Sequence, residues 1–281
     1  MEIQVRELSG PEELEKVEAL QMAVWGRDEL DTLPARMMIA IQHEGGLVGG
    51  AFAPKTPDGA MRNLEIGNQL LIGFVFGFPT RDPQKQHSNM LGVLQAYRHT
   101  PAALLLKRFQ RSWCLERGIV RVDWTFDPMR GVNANFNLRK LGAAFNKYLP
   151  NRYGYMKGIN AGAPSDRVLA EWELLSERAL ARLSGPAPEP DLSGAVQINQ
   201  VQGDTPVGFT VGLETTSPRL LVQIPEDWQQ ILDTSTELAI RWREHSRELF
   251  GHYFSQGYRA TEFVRGPNRY LLERTEKPDG A

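Results

Sequence analysis

Apolar and polar residues alternate from Ile3 to Leu8, and then the period changes: Leu14, Val17, Leu20 and Val24 recur at helical spacing after Ser9-Gly10-Pro11. Alternation lines one face of a strand and a three-to-four spacing lines one face of a helix, so the chain is predicted to open strand, helix. A second helix over 34–42, a strand over 47–53 and a turn from Pro54 to Gly59 follow. Leu70 to Phe78 is apolar and aromatic on both faces, the pattern of a strand inside a sheet, with Gly73 and Gly77 marking bends or a close neighbour. The run His87 to Leu94 leads through Tyr97-Arg98-His99-Thr100-Pro101-Ala102-Ala103 into an amphipathic helix over 101–117, which Gly118 stops. Ile119 to Phe126 supplies the next strand and Asp127-Pro128 breaks it. A helix from Asn133 to Leu141 ends at Gly142, and strands are predicted near 145–148 and 168–174.

Proline then changes the pattern. Ser184-Gly185-Pro186-Ala187-Pro188-Glu189-Pro190-Asp191 removes backbone donors and stiffens the chain, so it reads as a linker over 184–194 between a domain at 1–183 and a smaller α+β unit at 195–281. In that unit 196–213 and 219–223 read as strands, 225–232 and 238–256 as helices, and 258–264 and 270–273 as strands; residues 277–281 are predicted to fray. Helix, Gly257, strand repeats the earlier helix, Gly118, strand, which suggests a truncated second copy; an unrelated appendage is the competing reading.

The junction at 87–118 has the chemistry of a phosphate holder. Backbone N–H groups at a helix start lack intrahelical acceptors and sit at the positive end of the helix dipole, so an anion is stabilised there. Lys107, Arg108, Arg111 and Arg117 follow, against the single acid Glu116. The segment resembles motif A of the GNAT acyltransferases, in which Arg/Gln-x-x-Gly-x-Gly/Ala grips the pyrophosphate of acyl-coenzyme A. Arg98 takes the first position and Ala103 the last; Pro101 stands where the family has its central glycine and His99 where glycine is frequent. Proline offers no N–H but suits a first helical turn, so the element survives with one donor fewer. A second resemblance lies in Asn133-Ala134-Asn135-Phe136-Asn137-Leu138-Arg139-Lys140-Leu141-Gly142, after Trp124-Thr125-Phe126-Asp127-Pro128. Together they look like a subgroup of predicted GNAT proteins, some of which occur with N-acylamino-acid racemases and are linked to N-succinylation.

The resemblance covers about residues 1–175 and implies an α/β fold of mixed α+β type, a twisted mixed sheet flanked by helices and splayed between its fourth and fifth strands. It implies an acyl-CoA-dependent N-acyltransferase, with acetyl-CoA or succinyl-CoA as cosubstrate and an amino acid or other small amine as acceptor. Coenzyme contacts carry over to Leu91, Gly92, Val93 and Leu94 on the strand and to Arg98, Thr100, Ala102, Ala103 and Leu104 at the helix start, with Asn133 and Asn137 from the second motif. Asn133 competes as a helix cap. Leu138 occupies the place of the family's usual tyrosine proton donor, so Tyr148, Tyr153 and Tyr155 are the downstream substitutes and Tyr153 is taken as the candidate.

For the base, His87 shares a strand face with Asn89 and carries an imidazole, the side-chain type suited to accept an ammonium proton near neutral pH; a structural histidine is the competing reading. Asp127 at the strand end is the second candidate, against a turn role in Asp-Pro. Asp123 is expected to pair with Arg121 or another surface charge. Trp25-Gly26-Arg27-Asp28 and Arg130 are candidates for recognising an acceptor carboxylate.

Composition narrows the classes. The 281 residues carry 32 basic and 34 acidic side chains, a formal charge of −2, which lacks the polyelectrolyte signature of a nucleic-acid or anionic-membrane binder. Arg152-Tyr153-Gly154-Tyr155 interleaves aromatics with charge, but without a wider basic field. The single cysteine, Cys114, excludes an internal disulfide and suits a reducing compartment, and His43, His87, His99, His245 and His252 lack metal-ligand spacing, so no metal is expected. No segment approaches the ~20 apolar residues of a membrane span and the N-terminus has no signal core, which predicts a cytoplasmic protein with a homodimer left open. The alternative function is a noncatalytic GNAT-like binding or scaffold protein, since Pro101 and Leu138 replace two working family positions.

Overall fold

The computed structural model describes residues 2–26, 32–55, 61–154, 162–209 and 213–274. The chain divides into two compact units, 1–124 and 125–281, so the proline-rich stretch 184–194 lies inside the second. Among the described residues no helix is long and apolar enough to cross a membrane.

The first unit is a mixed sheet flanked by helices. Its elements are β1 (Gln4–Glu7), α1 (Gly10–Trp25), α2 (Ala35–His43), β2 (Leu47–Pro54), β3 (Glu65–Ile66), β4 (Gln69–Pro79), β5 (Lys85–Val93), α3 (Ala102–Leu115) and β6 (Arg121–Phe126), whose last two residues enter the second unit. The strand order is β1-β2-β4-β5-β6, antiparallel from β1 to β5 and parallel at β5–β6, with β3 on β4. β2 and β4 are buried over almost their whole length, which is why their sequences show continuous apolar runs rather than alternation. Helix α1 ends at Gly26, which takes the left-handed conformation (φ 63°) and donates its N–H to Met22 O.

The helices cover opposite sheet faces. A Cβ on Gly92 would meet Phe74 at 2.9 Å and Trp25 of α1 at 3.3 Å, whereas neighbouring Val93 shares the other face with Leu106 of α3, since both lie beside the place a Cβ on Gly73 would take. A Cβ on Gly49 would strike the Phe109 ring at 2.9 Å, so glycine there lets α3 sit down on the sheet.

The second unit contains α4 (Gly131–Ala134), a π-helical turn (Asn135–Lys140), β7 (Tyr148–Leu149), β8 (Arg167–Glu173), α5 (Glu177–Ser184), β9 (Val196–Gln197), β10 (Asn199–Gln202), β11 (Thr205–Phe209), β12 (Arg219–Gln223), α6 (Trp228–Thr234), α7 (Thr236–Ser255), β13 (Tyr258–Val264) and β14 (Arg269–Arg274). β7 and β8 pair antiparallel, β10 and β11 form a hairpin, and the remaining strands run in the order β13-β14-β12-β9. β12 and β13 both run antiparallel to β14, which separates them, whereas β5 and β6 around α3 are direct neighbours. Phe145 anchors this unit's core, with Phe126, Phe250, Phe254 and Tyr270 all 5.3–5.9 Å from it, centre to centre. Around Glu262 of β13, Arg139, Arg178 and Arg182 converge, while Arg139 also donates to Pro188 O, tying the proline-rich stretch down.

Candidate functional site

β5 is the element that matters most. Its ladder with β6 covers only Lys85↔Arg121, Gln86↔Val122 and His87↔Asp123. Among the described residues β5 pairs from Ser88 to Val93 with β4 alone, and that pairing slips at Asn89, an extra residue opposite the Phe76-Gly77 step. A bulge bends and twists a strand. This one sits where β5 stops pairing with β6, and it leaves an open strand edge running toward the start of α3.

Parity says which backbone groups face that edge. Leu94 donates its N–H to Ile72 O at 2.9 Å on the β4 side, so Gly92, two residues back, also turns its N–H toward β4. Leu91 and Val93 point theirs away, toward the open edge. Of the four strand residues named as coenzyme contacts, Leu91 and Val93 therefore offer N–H groups, and Gly92 and Leu94 do not. Gly92 contributes by its missing side chain, which leaves room for Trp25.

The helix start is corrected in the same way. Thr100 gives its N–H to Tyr97 O at 3.0 Å, and Ala102 N–H reaches Thr100 Oγ1 at 3.4 Å. The first i to i−4 bond of α3 is Leu105 N–H to Pro101 O at 2.9 Å, and the residue at the N-cap, Pro101, has no side chain able to accept a hydrogen bond. Ala103 and Leu104 thus hold the first-turn donors that lack an intrahelical acceptor. Arg98 points elsewhere than expected: Nε donates to Val93 O and Nη2 to Val24 O, both at 3.3 Å, so it braces the end of β5 against α1. Its guanidinium covers an outward-facing carbonyl that β6 would otherwise have paired.

His87 lies on the face opposite α3, with its ring 5.1 Å from that of Phe78. Its Nδ1 is 2.5 Å from Asp123 Oδ1 across the parallel register, and Lys85 Nζ is 3.2 Å from Asp123 Oδ2. Burial raises the pKa of Asp123, but the hydrogen bond and charge of His87, joined by Lys85, outweigh it and hold the carboxyl below its usual range. Arg121, the partner expected for Asp123, goes to Asp82 instead, at 2.5 Å. The sequence signal for the actual pair was present: His87 and Asp123 sit near equivalent places in two strands joined by one crossover helix.

On the α3 face the basic series is partly buried. Lys107 is 2% exposed, its Nζ 3.9 Å above the Trp124 ring and donating to Gln110 Oε1 at 2.9 Å and Ser88 Oγ at 3.0 Å. It is a core residue, not part of a phosphate-facing cationic surface. Gln86 accepts from Gln110 at 2.7 Å beside the buried Cys114.

In the second unit Asp127 is no base. Both its oxygens are bound by Arg243 at 2.7 Å, Met129 N–H donates to it at 3.0 Å and Arg167 lies 3.6 Å away. Burial works against its ionisation, but these cations and donors prevail and lower its pKa, so the carboxylate is a locked structural charge. Tyr153 is half exposed, with its hydroxyl 2.7 Å from Thr125 Oγ1. Asn133 is exposed on α4, Asn137 is 5% exposed on the π-helical turn, and Leu138 is fully buried. Tyr148 is partly buried and donates to Asp166 Oδ2 at 2.8 Å. Arg130 reaches Gln229. Arg27, Asp28 and Tyr155 lie outside the described residues.

No family model and no curated protein matches the sequence. Among solved structures, an aminoglycoside 6'-acetyltransferase type Ii is similar over 62% of this chain and 99% of its own, at 14% identity and a TM-score of 0.47. The ribosomal-protein-S18-alanine N-acetyltransferase from Escherichia coli is similar over 62% and 94%, at 10% identity and 0.46. A PaiA N-acetyltransferase from Thermoplasma acidophilum, solved with coenzyme A, is similar over 62% and 99%, at 19% identity and 0.42.

Proposed function

We propose that the protein is an acyl-CoA-dependent N-acyltransferase of GNAT type, transferring an acetyl or succinyl group to an amino acid or another small amine. One observation carries this reading: the open edge of β5 beyond His87 leads, through one short turn at Gln95–Tyr97, to the start of α3, in the sequence register where the GNAT resemblance puts coenzyme contacts. An extended amide-bearing chain can add to such an edge as a strand does, using the N–H groups of Leu91 and Val93, while phosphates meet Ala103 and Leu104 at the positive end of α3. The donor set suits acyl-CoA in both parts. Pro101 removes one contact, and Arg98, engaged with Val93 O, supplies positive charge near the turn without touching a phosphate directly.

When bound, the cosubstrate supplies an activated acyl group; the chain must position it and deprotonate the acceptor. Holding both reactants in line removes a large entropic barrier. The N–H groups at the β5 edge polarise an acyl oxygen placed against them, and His87, on the face opposite α3, is the group fit to accept the acceptor's proton.

The engagement of Arg98, together with Pro101 and the buried Leu138, favours a second reading, a noncatalytic binding protein with a degenerate coenzyme site. Calorimetric titration with acetyl-CoA and succinyl-CoA, followed by mass spectrometry of an amino-acid mixture, separates the two. Binding with acylated product supports the transferase. Binding without product supports the scaffold, and no binding of either thioester at millimolar concentration removes both.

A further inference from the structure

We infer that Asp123 is a positioning residue that fixes His87 in the tautomer able to act as the acceptor's base; this rests on the acyltransferase reading above. The geometry is specific. The parallel ladder places the two residues opposite one another on one sheet face, and Nδ1 of His87 lies 2.5 Å from Asp123 Oδ1. An ionised carboxylate only accepts, so Nδ1 must carry the hydrogen, and the lone pair of a neutral ring is then on Nε2. Among the described residues Nε2 makes no hydrogen bond.

The surroundings keep Asp123 charged. Lys85 of β5 binds its second oxygen at 3.2 Å, and the residue as a whole is only 7% exposed, so the pair works in a partly dry setting. The charged groups facing His87 are Asp123 of β6 and, through it, Lys85; β4 presents the Phe78 ring. Among the described residues the ring therefore faces one carboxylate, and no cation is in direct contact with it.

An ammonium acceptor brings three protons to nitrogen. One passes to Nε2 of His87 and on to solvent, while the N–C bond forms and the C–S bond breaks. One ends on the departing sulfur, and one remains on the amide. Asp123 gives up nothing: it holds Nδ1–H throughout.

The test uses the full chain, with nitrogen-15 spectra of the histidines and pH–rate profiles for wild type and Asp123→Asn. Wild type should show neutral His87 as the Nδ1–H tautomer. In Asp123→Asn that preference should be lost, because an amide can donate to Nδ1 as well as accept from it. Where turnover is found, kcat should fall about a hundred-fold, within the range of general-base contributions, with KM for the thioester and calorimetric coenzyme affinity within two-fold of wild type. Asp123→Glu should restore part of both the tautomer preference and the rate. An Nε2–H tautomer in wild type, or an unchanged Nδ1–H preference in a folded Asp123→Asn protein, overturns the inference. Absence of coenzyme binding would overturn the acyltransferase reading and with it the role as the acceptor's base, whereas the tautomer, read without substrate, tests the Asp123–His87 pairing by itself.

Discussion

Lys107 donates to Ser88 and Gln110 from inside the core, and burial pushes its pKa down to about 7, offset slightly by the nearby Cys114. Its ordinary value is higher, so between about pH 7 and its unfolded pKa near ~10.4 the unfolded state binds the proton and the folded state does not. Stability should therefore rise with pH across that window, and below it the full cost of burying the charge applies. Cys114 acts in the opposite sense: burial pushes its thiol up to about 12, so unfolding releases its proton first and stability falls above about pH 9. The clean window is pH 7 to 9. Urea unfolding of wild type should show the rise there, with a slope of up to about 1.4 kcal/mol per pH unit from this one group, and Lys107→Met should lose it. Equal slopes in the two proteins would contradict a shifted Lys107.

At the same scale, some chemistry was legible and some was not. His87 stood out because it lies in the strand before the phosphate-type turn. Asp127 misled: a carboxylate ending a strand beside a crossover has the look of a base, and nothing local in the sequence announces that Arg243, far along the chain, will bind both its oxygens. Lys107 misled for the same reason, since helical spacing alone does not foretell a lysine lying over Trp124.

At the scale of elements, α3 does two things with one sequence. Leu106, Gln110, Trp113 and Cys114 bury one side on the sheet, while Ala103 and Leu104 leave first-turn donors at its N-terminus. These roles separate by substitution. Ala103→Pro removes one donor at a position within the first turn, where proline is tolerated, so the melting temperature should stay within a few degrees of wild type. Acetyl-CoA affinity should fall about ten-fold, the equivalent of ~1.4 kcal/mol for a lost contact to a charged group. Unchanged affinity in a folded Ala103→Pro protein would place the phosphates elsewhere. The strand and helix order of the first unit was readable because each element keeps one period for several residues. The π-helical turn at Asn135–Lys140 was not, since its wider bonds, such as Leu141 N–H to Phe136 O at 3.1 Å, preserve the apolar spacing of an ordinary helix. Helix α5 was missed as well: eight residues are too short for a clear period, and its signal was the capping hydroxyl of Ser176, which accepts from Ala179 N–H.

For the whole molecule, the sequence marked the proline-rich stretch 184–194 as a division, whereas the compact units meet at 124/125. Proline reports where ladders stop, not where contacts stop. Phe145 bonds across to Ala260, and Glu262, which follows the stretch, gathers three arginines that precede it, so the pieces it joins share one unit. In the first unit an open strand edge and a helix start would together hold one coenzyme. Site-resolved amide hydrogen exchange of the full protein, with and without saturating acetyl-CoA, tests it most directly. Slowed exchange at Leu91, Val93, Ala103 and Leu104, with Gly92 and Leu94 little changed, is the predicted result. Unchanged exchange at all four while the thioester binds elsewhere on the chain would contradict it.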